Sequence, residues 1–279
     1  MSYVSYSTVR AFLSNGDEQS TNTGVCNVLY ASNFNASNTT QLKRVKRIGQ
    51  EFDYYIQTGP KSASISTTVL PVTGEEINQF TEFLALTGDF TSGSFIHIPS
   101  YRFEKCFLKS MSFSLAPWKP MFLEMQFDSY GLATGSGIYV YDGQSVEMGI
   151  VSPLRNMTID LSGINFIQQI NEYENLNFSV EVDRAPNFEI GSAYPTKVSV
   201  SKITKSLQIN GISNADWLSD YQPNTTVSGS ITMPDGDSFY ISGVLSSQTT
   251  SIDSNGVVKG ALQIVEDMEL ALEEVEDPE

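Results

Sequence analysis

Side chains that commonly carry catalysis are scarce in this sequence. Its single histidine, His97, lies between Ile96 and Ile98, a context that favours a structural histidine on a strand over a general base. There is no G-x-S-x-G elbow, phosphate-binding glycine loop or H-E-x-x-H pair. Glycoside hydrolysis needs only two carboxylates, and no pair stands out among the many present. We therefore expect a protein that is not an enzyme.

The sequence also offers few metal ligands. Cys26 and Cys106 are its two cysteines, too few for a zinc site or a disulfide framework, and both are expected to be structural thiols. Asp235 and Asp237 flank a glycine, but the spacing of a calcium-binding loop is missing, so a turn is the simpler interpretation. We expect neither metal nor cofactor.

Charge excludes one class of function. The 279 residues contain 32 acidic and 16 basic side chains, a formal net charge of -16, whereas a protein that holds nucleic-acid phosphates needs a concentrated basic surface. The basic residues cluster at one place only, Lys43, Arg44, Lys46 and Arg47. This cluster is either a solvated strand entry or a contact to acidic groups of a neighbouring copy, so its members are inter-subunit candidates.

The C-terminus is strongly acidic, with eight acidic and no basic residues from Glu266 to Glu279. It is either a solvated end or an arm that becomes ordered against a neighbouring subunit. No apolar run reaches the roughly 20 residues of a membrane span, and the first residues lack the pattern of a signal peptide. We expect a soluble chain that is not secreted.

Most of the chain has the alternation of β-strands. The pattern places Phe107, Lys109, Met111, Phe113 and Leu115 on one strand face and Leu108, Ser110, Ser112 and Ser114 on the other. After a turn, Leu123, Met125 and Phe127 alternate with Glu124, Gln126 and Asp128. These two strands predict an antiparallel hairpin with one apolar and one polar face.

Two segments have helical spacing instead. Ile77, Phe80, Phe83 and Leu84 form one stripe within Glu75 to Leu86, and Trp217, Leu218 and Tyr221 form another within Ala215 to Tyr221. The second segment ends before Pro223. The pattern predicts one short helix in each half of the chain.

The two halves resemble each other. Phe52 to Pro60 aligns with Phe178 to Pro186, and Ser92 to Pro99 aligns with Ser228 to Pro234. Both halves then read as strand, strand, helix and three strands, which favours a duplication. The predicted divisions are an N-terminal arm (1–24), a first domain (25–135), a linker or protruding loop (136–154), a second domain (155–267) and an acidic tail (268–279).

With this element order the chain resembles a phage tail tube protein with a duplicated tail-tube domain. The resemblance is carried by Arg44 to Gln57, Ser62 to Val72, the helix Glu75 to Leu86 and the strands of Phe103 to Asp128, repeated at Leu176 to Asp267. It implies mainly β structure: two tandem sandwich or half-barrel domains, each with one short helix.

The resemblance also implies an assembly and a role. Strands of several copies would close into a shared β-barrel, and two domains per chain would give trimeric, pseudo-six-fold rings that stack. Such rings form the tail of the virion, assembled in the host cytoplasm beside other tail proteins and without a membrane partner. Double-stranded DNA would pass through the channel during ejection without being held specifically.

The family leaves neighbouring roles open, namely a baseplate hub or distal tail protein with two tube-like domains, or a β-rich receptor-binding or decoration protein. A channel that lets DNA slide should be polar or acidic. Period-two geometry turns one set of side chains away from the core in each candidate strand. The predicted channel-lining residues are Asp53, Gln57, Glu124, Gln126, Asp128, Ser179, Glu181 and Asp183.

Overall fold

The structure, a computed structural model, describes a large part of the chain. The described residues are 11–14, 26–29, 31–46, 48, 54–69, 94–98, 101–116, 119, 122–131, 133–135, 158–162, 170–190, 192, 194–213, 224–232, 238–252 and 254–269. Both predicted helices, the linker 136–154 and the turn at Asp235 lie outside them, as do Asp53 and Arg47.

Within these residues the protein is mainly β, which confirms that part of the predicted class, and the described segments contain no helix. All strand pairs are antiparallel, and together they form one open sheet. The strands are β1 (Ala11–Ser14), β2 (Cys26–Leu29), β3 (Ala31–Val45), β4 (Tyr54–Val69), β5 (Ser94–Ile98), β6 (Tyr101–Leu115), β7 (Phe122–Ser129), β8 (Ala133–Gly135), β9 (Thr158–Ser162), β10 (Ile170–Asn187), β11 (Lys197–Ser213), β12 (Thr226–Thr232), β13 (Ser238–Ile252) and β14 (Val258–Glu269).

The strands of the two halves pair in the same order. In the first half the order is β1-β5-β6-β7-β4-β3, and in the second it is β9-β12-β13-β14-β11-β10. The halves join where β6 pairs with β10. Each of these six strands in one half therefore has a counterpart in the other, whereas β2 and β8 have none among the described strands.

Irregularities of the ladder match as well. Lys109 is an extra residue between Leu108, opposite Phe127, and Ser110, opposite Gln126. Ser246 is likewise extra between Leu245, opposite Ile264, and Ser247, opposite Gln263. A bulge at the same place in both halves fixes the correspondence residue by residue along β6 and β13.

The same holds for β3 and β10. A register shift lies just before Asn33 in β3 and just before Asn175 in β10. Asn, Asn and Ser then follow at alternate positions in both strands, as Asn33, Asn35 and Ser37 and as Asn175, Asn177 and Ser179. The counterpart of Phe178 is therefore Ala36, so the predicted alignment of Phe178 with Phe52 is wrong.

Pro60 does not end a strand, although proline often does. Instead, β4 runs through it from Tyr54 to Val69 as a single strand. The ladder to β3 skips from Lys61 to Gln57, so Pro60 lies in an irregular stretch where no backbone N–H is needed.

Two predicted segment boundaries also differ from the structure. Ala11–Ser14, within the predicted N-terminal arm, forms β1 and pairs with β2 and β5. At the other end, β14 extends to Glu269, which lies opposite Lys202. The first acidic residues of the C-terminal run therefore belong to the sheet.

One face of the sheet carries the hydrophobic core. Phe178, Val180 and Val182 are buried, as are Leu123, Met125 and Phe127, which confirms the alternation predicted for both strands. Phe113 stacks on Phe178 across the β6–β10 joint with their ring centroids 5.1 Å apart. Buried side chains from both halves form one continuous cluster, so the two halves share a core.

Because of the bulge at Lys109, the faces predicted for Phe107, Leu108 and Lys109 of β6 are wrong. Leu108 is buried, not polar-facing, and Lys109 is exposed, not part of the apolar face. Because a bulge inverts the alternation, Phe107 lies opposite Asp128 on the far side of the sheet from the core. From Met111 onward the predicted faces are confirmed.

Candidate functional site

The face opposite the core is mainly polar across seven neighbouring strands, β3, β4, β7, β6, β10, β11 and β14, although the registers also place Phe107, Phe122 and Val265 on it. Directly opposed residues of an antiparallel sheet share a face, so the registers define this surface row by row. We call it the polar face. Its polar members are Asn33, Asn35, Ser37, Ser64, Ser66, Thr68, Glu124, Gln126, Asp128, Ser110, Ser112, Ser114, Asn177, Ser179, Glu181, Asp183, Lys202, Thr204, Ser206 and Asp267.

One row crosses all seven strands. It runs through Asn35, Ser66, Gln126, Ser110, Glu181, Thr204 and Asp267. At the usual strand separation such a row is about 29 Å long. Hydroxyl, amide and carboxylate groups therefore cover a broad surface without an apolar interruption in this row.

Six of the eight predicted channel-lining residues meet on this face. Glu124 and Ser179 both lie opposite Ser112, and Gln126 and Glu181 both lie opposite Ser110. Asp128 and Asp183 lie on the flanking strands β7 and β10. Gln57 belongs to β4 opposite Leu42, and Asp53 lies outside the described residues.

Sequence reasoning missed the part of the face on β3 and β4. Ser64, Ser66 and Thr68 alternate with the buried Ala63, Ile65 and Thr67. This period-two pattern was available in the sequence. The pattern is hard to recognise because short polar side chains occur on both faces of β4. Thr67 is on the buried face, where it donates a hydrogen bond to the Asn33 carbonyl at 3.1 Å.

Acidic groups dominate the charge of the polar face. Lys202 lies 3.2 Å from Asp267, and a hydrogen bond from Thr204, followed by one from Lys202, lowers the pKa of that carboxyl group. Lys109 approaches Asp128 at 4.0 Å. Among the described side chains no ion pair engages Glu124, Glu181 or Asp183, so their charge faces solvent.

At the joint of the two halves, Arg184 connects β10 to β6. Its Nε donates a hydrogen bond to the Leu108 carbonyl at 3.1 Å, and its guanidinium lies 5.4 Å from the centroid of Phe107. The Phe107 ring also contacts Tyr130, 5.9 Å away. The hydrogen bond from Arg184 is accepted by the Leu108 carbonyl, which lies next to the bulge at Lys109. The irregular part of β6 therefore provides an acceptor at the joint.

Burial shifts the ionisation of this cluster. It lowers the pKa of Arg184 to about 10, and Arg184 Nη1 is buried without a hydrogen-bond partner within the described part of the chain. Burial, followed by the charge of Asp128, raises the pKa of Tyr130. The cluster is thus a desolvated structural contact beside the polar face.

A second candidate is a cleft of about 540 Å³ in the second half. It opens where β13 leaves β14, since β13 pairs with β14 only from Val244 onward. Gly243 lies at this point, where a larger residue would not fit: a Cβ there would lie 2.6 Å from the Val265 carbonyl oxygen. The cleft is lined by Asp160, Ser162, Lys205, Ser228, Gly229, Ser230, Tyr240, Ile241, Ser242 and Glu266.

The cleft does not offer the groups of a glycosidase. Its two carboxylates are Asp160 and Glu266, and Lys205 binds Glu266 at 3.0 Å. Glycoside hydrolysis requires a pair of carboxyl groups that are both free to act, whereas one of these two is held in an ion pair.

The basic cluster lies at the end of β3. Lys43, Arg44 and Lys46 are exposed, and Arg47 lies outside the described residues. Since β3 pairs only with β4 within the described chain, these cations flank a strand edge. This position is compatible with their predicted role at an inter-subunit contact.

No family model matches the chain, and no curated protein matches it. In the described part of the chain no helix has the length and apolar character needed to cross a membrane. No group of three or more His, Cys, Asp or Glu side chains there is placed to hold a metal ion. The sheet itself is therefore the feature of the protein that indicates its function.

Proposed function

We propose that this protein is a structural subunit of a phage tail tube, whose copies form stacked rings around a channel for DNA. One observation carries the proposal: the two halves share one pairing order and one bulge, and they are joined edge to edge. A unit that joins its own duplicate in this way can add further units by the same geometry. Each chain would supply two of six positions, so three chains would close one pseudo-six-fold ring.

The polar face supports the channel part of the proposal. A surface that guides DNA without retaining it should repel phosphates or interact weakly with them. Glu124, Glu181 and Asp183 supply negative charge there, and their neighbours are mainly hydroxyl and amide groups. The core occupies the other face, so the polar face remains available to line a channel.

The decisive experiment is electron microscopy of the purified full chain, combined with native mass spectrometry. We expect stacked rings of constant diameter and a ring mass equal to three chains. Six chains per ring, or a monomer at every concentration, would refute the assembly. Closed trimeric rings that never stack would instead favour a baseplate hub or distal tail protein, whereas monomers or spikes would favour a receptor-binding or decoration protein.

The place of the protein in the virion requires a separate test. Particles assembled in the host should contain the protein in the tail, together with other tail proteins. An antibody label along the whole tail supports a tube subunit, and a label at one end supports a terminal ring. Absence of the protein from purified virions would overturn the proposal.

A further inference from the structure

The joint between the two halves is an antiparallel strand pair with a buried inner face. Leu115 lies opposite Leu176, Phe113 opposite Phe178 and Met111 opposite Val180. All six side chains are at most 3% exposed. The polar-face residues between them pair Ser114 with Asn177, Ser112 with Ser179 and Ser110 with Glu181.

Each strand of this joint has a counterpart whose equivalent edge pairs with no other strand in the described part of the chain. The matched bulges make Ser247–Ile252 of β13 the counterpart of Ser110–Leu115. The matched register shifts make Phe34–Thr39 of β3 the counterpart of Leu176–Glu181. Among the described residues, β13 pairs along this stretch only with β14, and β3 pairs only with β4.

We propose that the open edge of β13 in one copy pairs antiparallel with β3 of a second copy, in the register of the internal joint. The predicted opposed residues are Ile252 and Phe34, Ser251 and Asn35, Thr250 and Ala36, Thr249 and Ser37, Gln248 and Asn38. The inference rests on the self-association in the proposed function and does not depend on DNA passage.

Exposure at the two edges agrees with a missing partner. Ile252 is 70% exposed, whereas its counterpart Leu115 is 1% exposed. Phe34 is half-buried, whereas its counterpart Leu176 is fully buried. In the proposed pairing these two apolar side chains cover each other, as the two leucines do at the joint.

Polar groups on the core side of the edges are complementary too. The Thr250 hydroxyl is buried without a hydrogen-bond partner in the described part of the chain. Asn38 is exposed, and the proposed register brings it opposite Gln248 and diagonal to Thr250. A side-chain amide at that distance can supply a partner to the hydroxyl.

The proposed register also determines where the basic cluster lies in this interface. At the internal joint, Arg184 follows the paired stretch of β10 and donates to the Leu108 carbonyl. On β3 the paired stretch ends at Thr39, and Lys43 and Arg44 follow it. The counterpart of Leu108 is Leu245, so these cations approach the carbonyl beside the second bulge.

The interface joins two different edges, so a dimer retains one open edge of each kind. Such a head-to-tail contact gives a ring when the rotation closes and a filament when it does not. In a closed ring the β13 and β3 edges of every copy are paired, which removes the aggregation hazard of these two long strands. A second copy of this chain is therefore the partner that fits both edges.

The register can be tested by disulfide cross-linking between full-length variants in which Cys26 and Cys106 are replaced by alanine and one new cysteine is introduced. Opposed residues of an antiparallel pair lie within disulfide distance, whereas diagonal neighbours lie about 7–8 Å apart. Asn35→Cys mixed with Ser251→Cys should give a cross-linked dimer upon mild oxidation. Ser37→Cys mixed with Ser251→Cys is the matched control, and we expect at least about tenfold less dimer from it.

Both outcomes are informative. Equal or stronger cross-linking of the Ser37 mixture would overturn the register, as would the absence of any cross-link under conditions where rings form. Rings without the cross-link would leave the proposed tube intact while refuting this interface. A specific cross-link in a protein absent from virion tails would uphold the interface while refuting the tube.

A charge exchange gives an independent check. Thr249→Glu combined with Ser37→Glu places like charges opposite each other, and the concentration for half assembly should rise about two- to fivefold. Thr249→Glu combined with Ser37→Lys should restore the parent value. Both positions are exposed, so the circular dichroism spectra of the variants should match the parent spectrum. Equal assembly of both pairs would contradict the proposed contact.

Discussion

The internal joint and the two open edges have the same backbone geometry but different side chains. Where the joint has Met111 and Phe113, the second half has Gln248 and Thr250, and where it has Phe178, the first half has Ala36. The joint is therefore built like a hydrophobic core. The open edges carry smaller or polar groups, which suit a surface that contacts water before assembly.

The internal joint and the two edges should also differ in how much they contribute to stability. A joint that is buried within one chain can contribute directly to the free energy of unfolding. An edge that pairs only between copies contributes a free energy that grows with the logarithm of the protein concentration, by mass action. Substitutions at equivalent positions should thus have unequal effects on the monomer.

The largest contrast is expected between Phe113 and Thr250. Phe113→Ala should lower the free energy of unfolding by about 3–5 kcal/mol, because it leaves a cavity against Phe178. Thr250→Ala, at the equivalent position, should change it by less than about 1 kcal/mol, since its buried hydroxyl has no partner in the described chain. Urea unfolding measured below the assembly concentration compares them, and equal losses would contradict the assigned equivalence.

The next contrast is alkaline sensitivity of the first half. Burial raises the pKa of Cys106 from 9.0 to about 12, and its counterpart in β13 is Gly243. A raised folded-state pKa contributes stability that is fully present below pH 9 and is lost as the pH rises toward 12. The loss should reach about 3 kcal/mol at pH 11.

Cys106→Ala separates this loss from other alkaline effects. Its unfolding free energy should fall less steeply between pH 9 and pH 11 than that of the parent protein, even if its stability at pH 7 is lower. The slope of stability against pH, measured by urea titration, is the quantity to compare. Identical slopes would show that the thiol is not protected by burial.

Arg184 tests the contact that completes the joint. Arg184→Ala removes the hydrogen bond to Leu108 and uncovers Phe107, so we expect a loss of about 2 kcal/mol. Lys202→Ala is the matched control, because its ion pair with the exposed Asp267 is screened by solvent and should contribute little to stability. Comparable losses in thermal unfolding would mean that the burial of Arg184 adds nothing to the joint.

Substitutions on the polar face should have the smallest effect on stability, but they should affect function. Glu181→Lys should change stability within about 0.5 kcal/mol, since the side chain is exposed. DNA ejection from assembled particles should nevertheless become several-fold slower, and further slower with Glu124→Lys. Glu189→Lys makes the same charge change at an exposed position outside the polar face, so normal ejection is expected. Equal ejection by all variants would remove this face from the channel.

Much of the sheet could be predicted from local pattern. The alternation of Leu123, Met125 and Phe127 with their polar neighbours was sufficient to assign the faces of β7, and the same applies to β10. Such assignments succeed because a strand with one buried face must alternate. Six of the eight predicted channel-lining residues were brought onto one surface for the same reason.

Local pattern failed where the ladder is irregular. A bulge at Lys109 inverts the faces of β6, and Pro60 passes through β4 without ending it. Neither can be read from alternation, because an extra residue has no signature until its partner strand is known. Arg184 was missed for a similar reason: its acceptor is a carbonyl on a strand distant in sequence.

Composition and periodicity alone thus determined the mainly β character, the acidity and the side chains that point away from the core. These depend on each residue and its near neighbours. Only the tertiary structure decided that both halves carry the same bulge, that β6 pairs with β10, and that β3 and β13 leave equivalent edges open. Those features depend on which distant strands meet, because the free energy of a strand pair belongs to both strands and is encoded in neither alone.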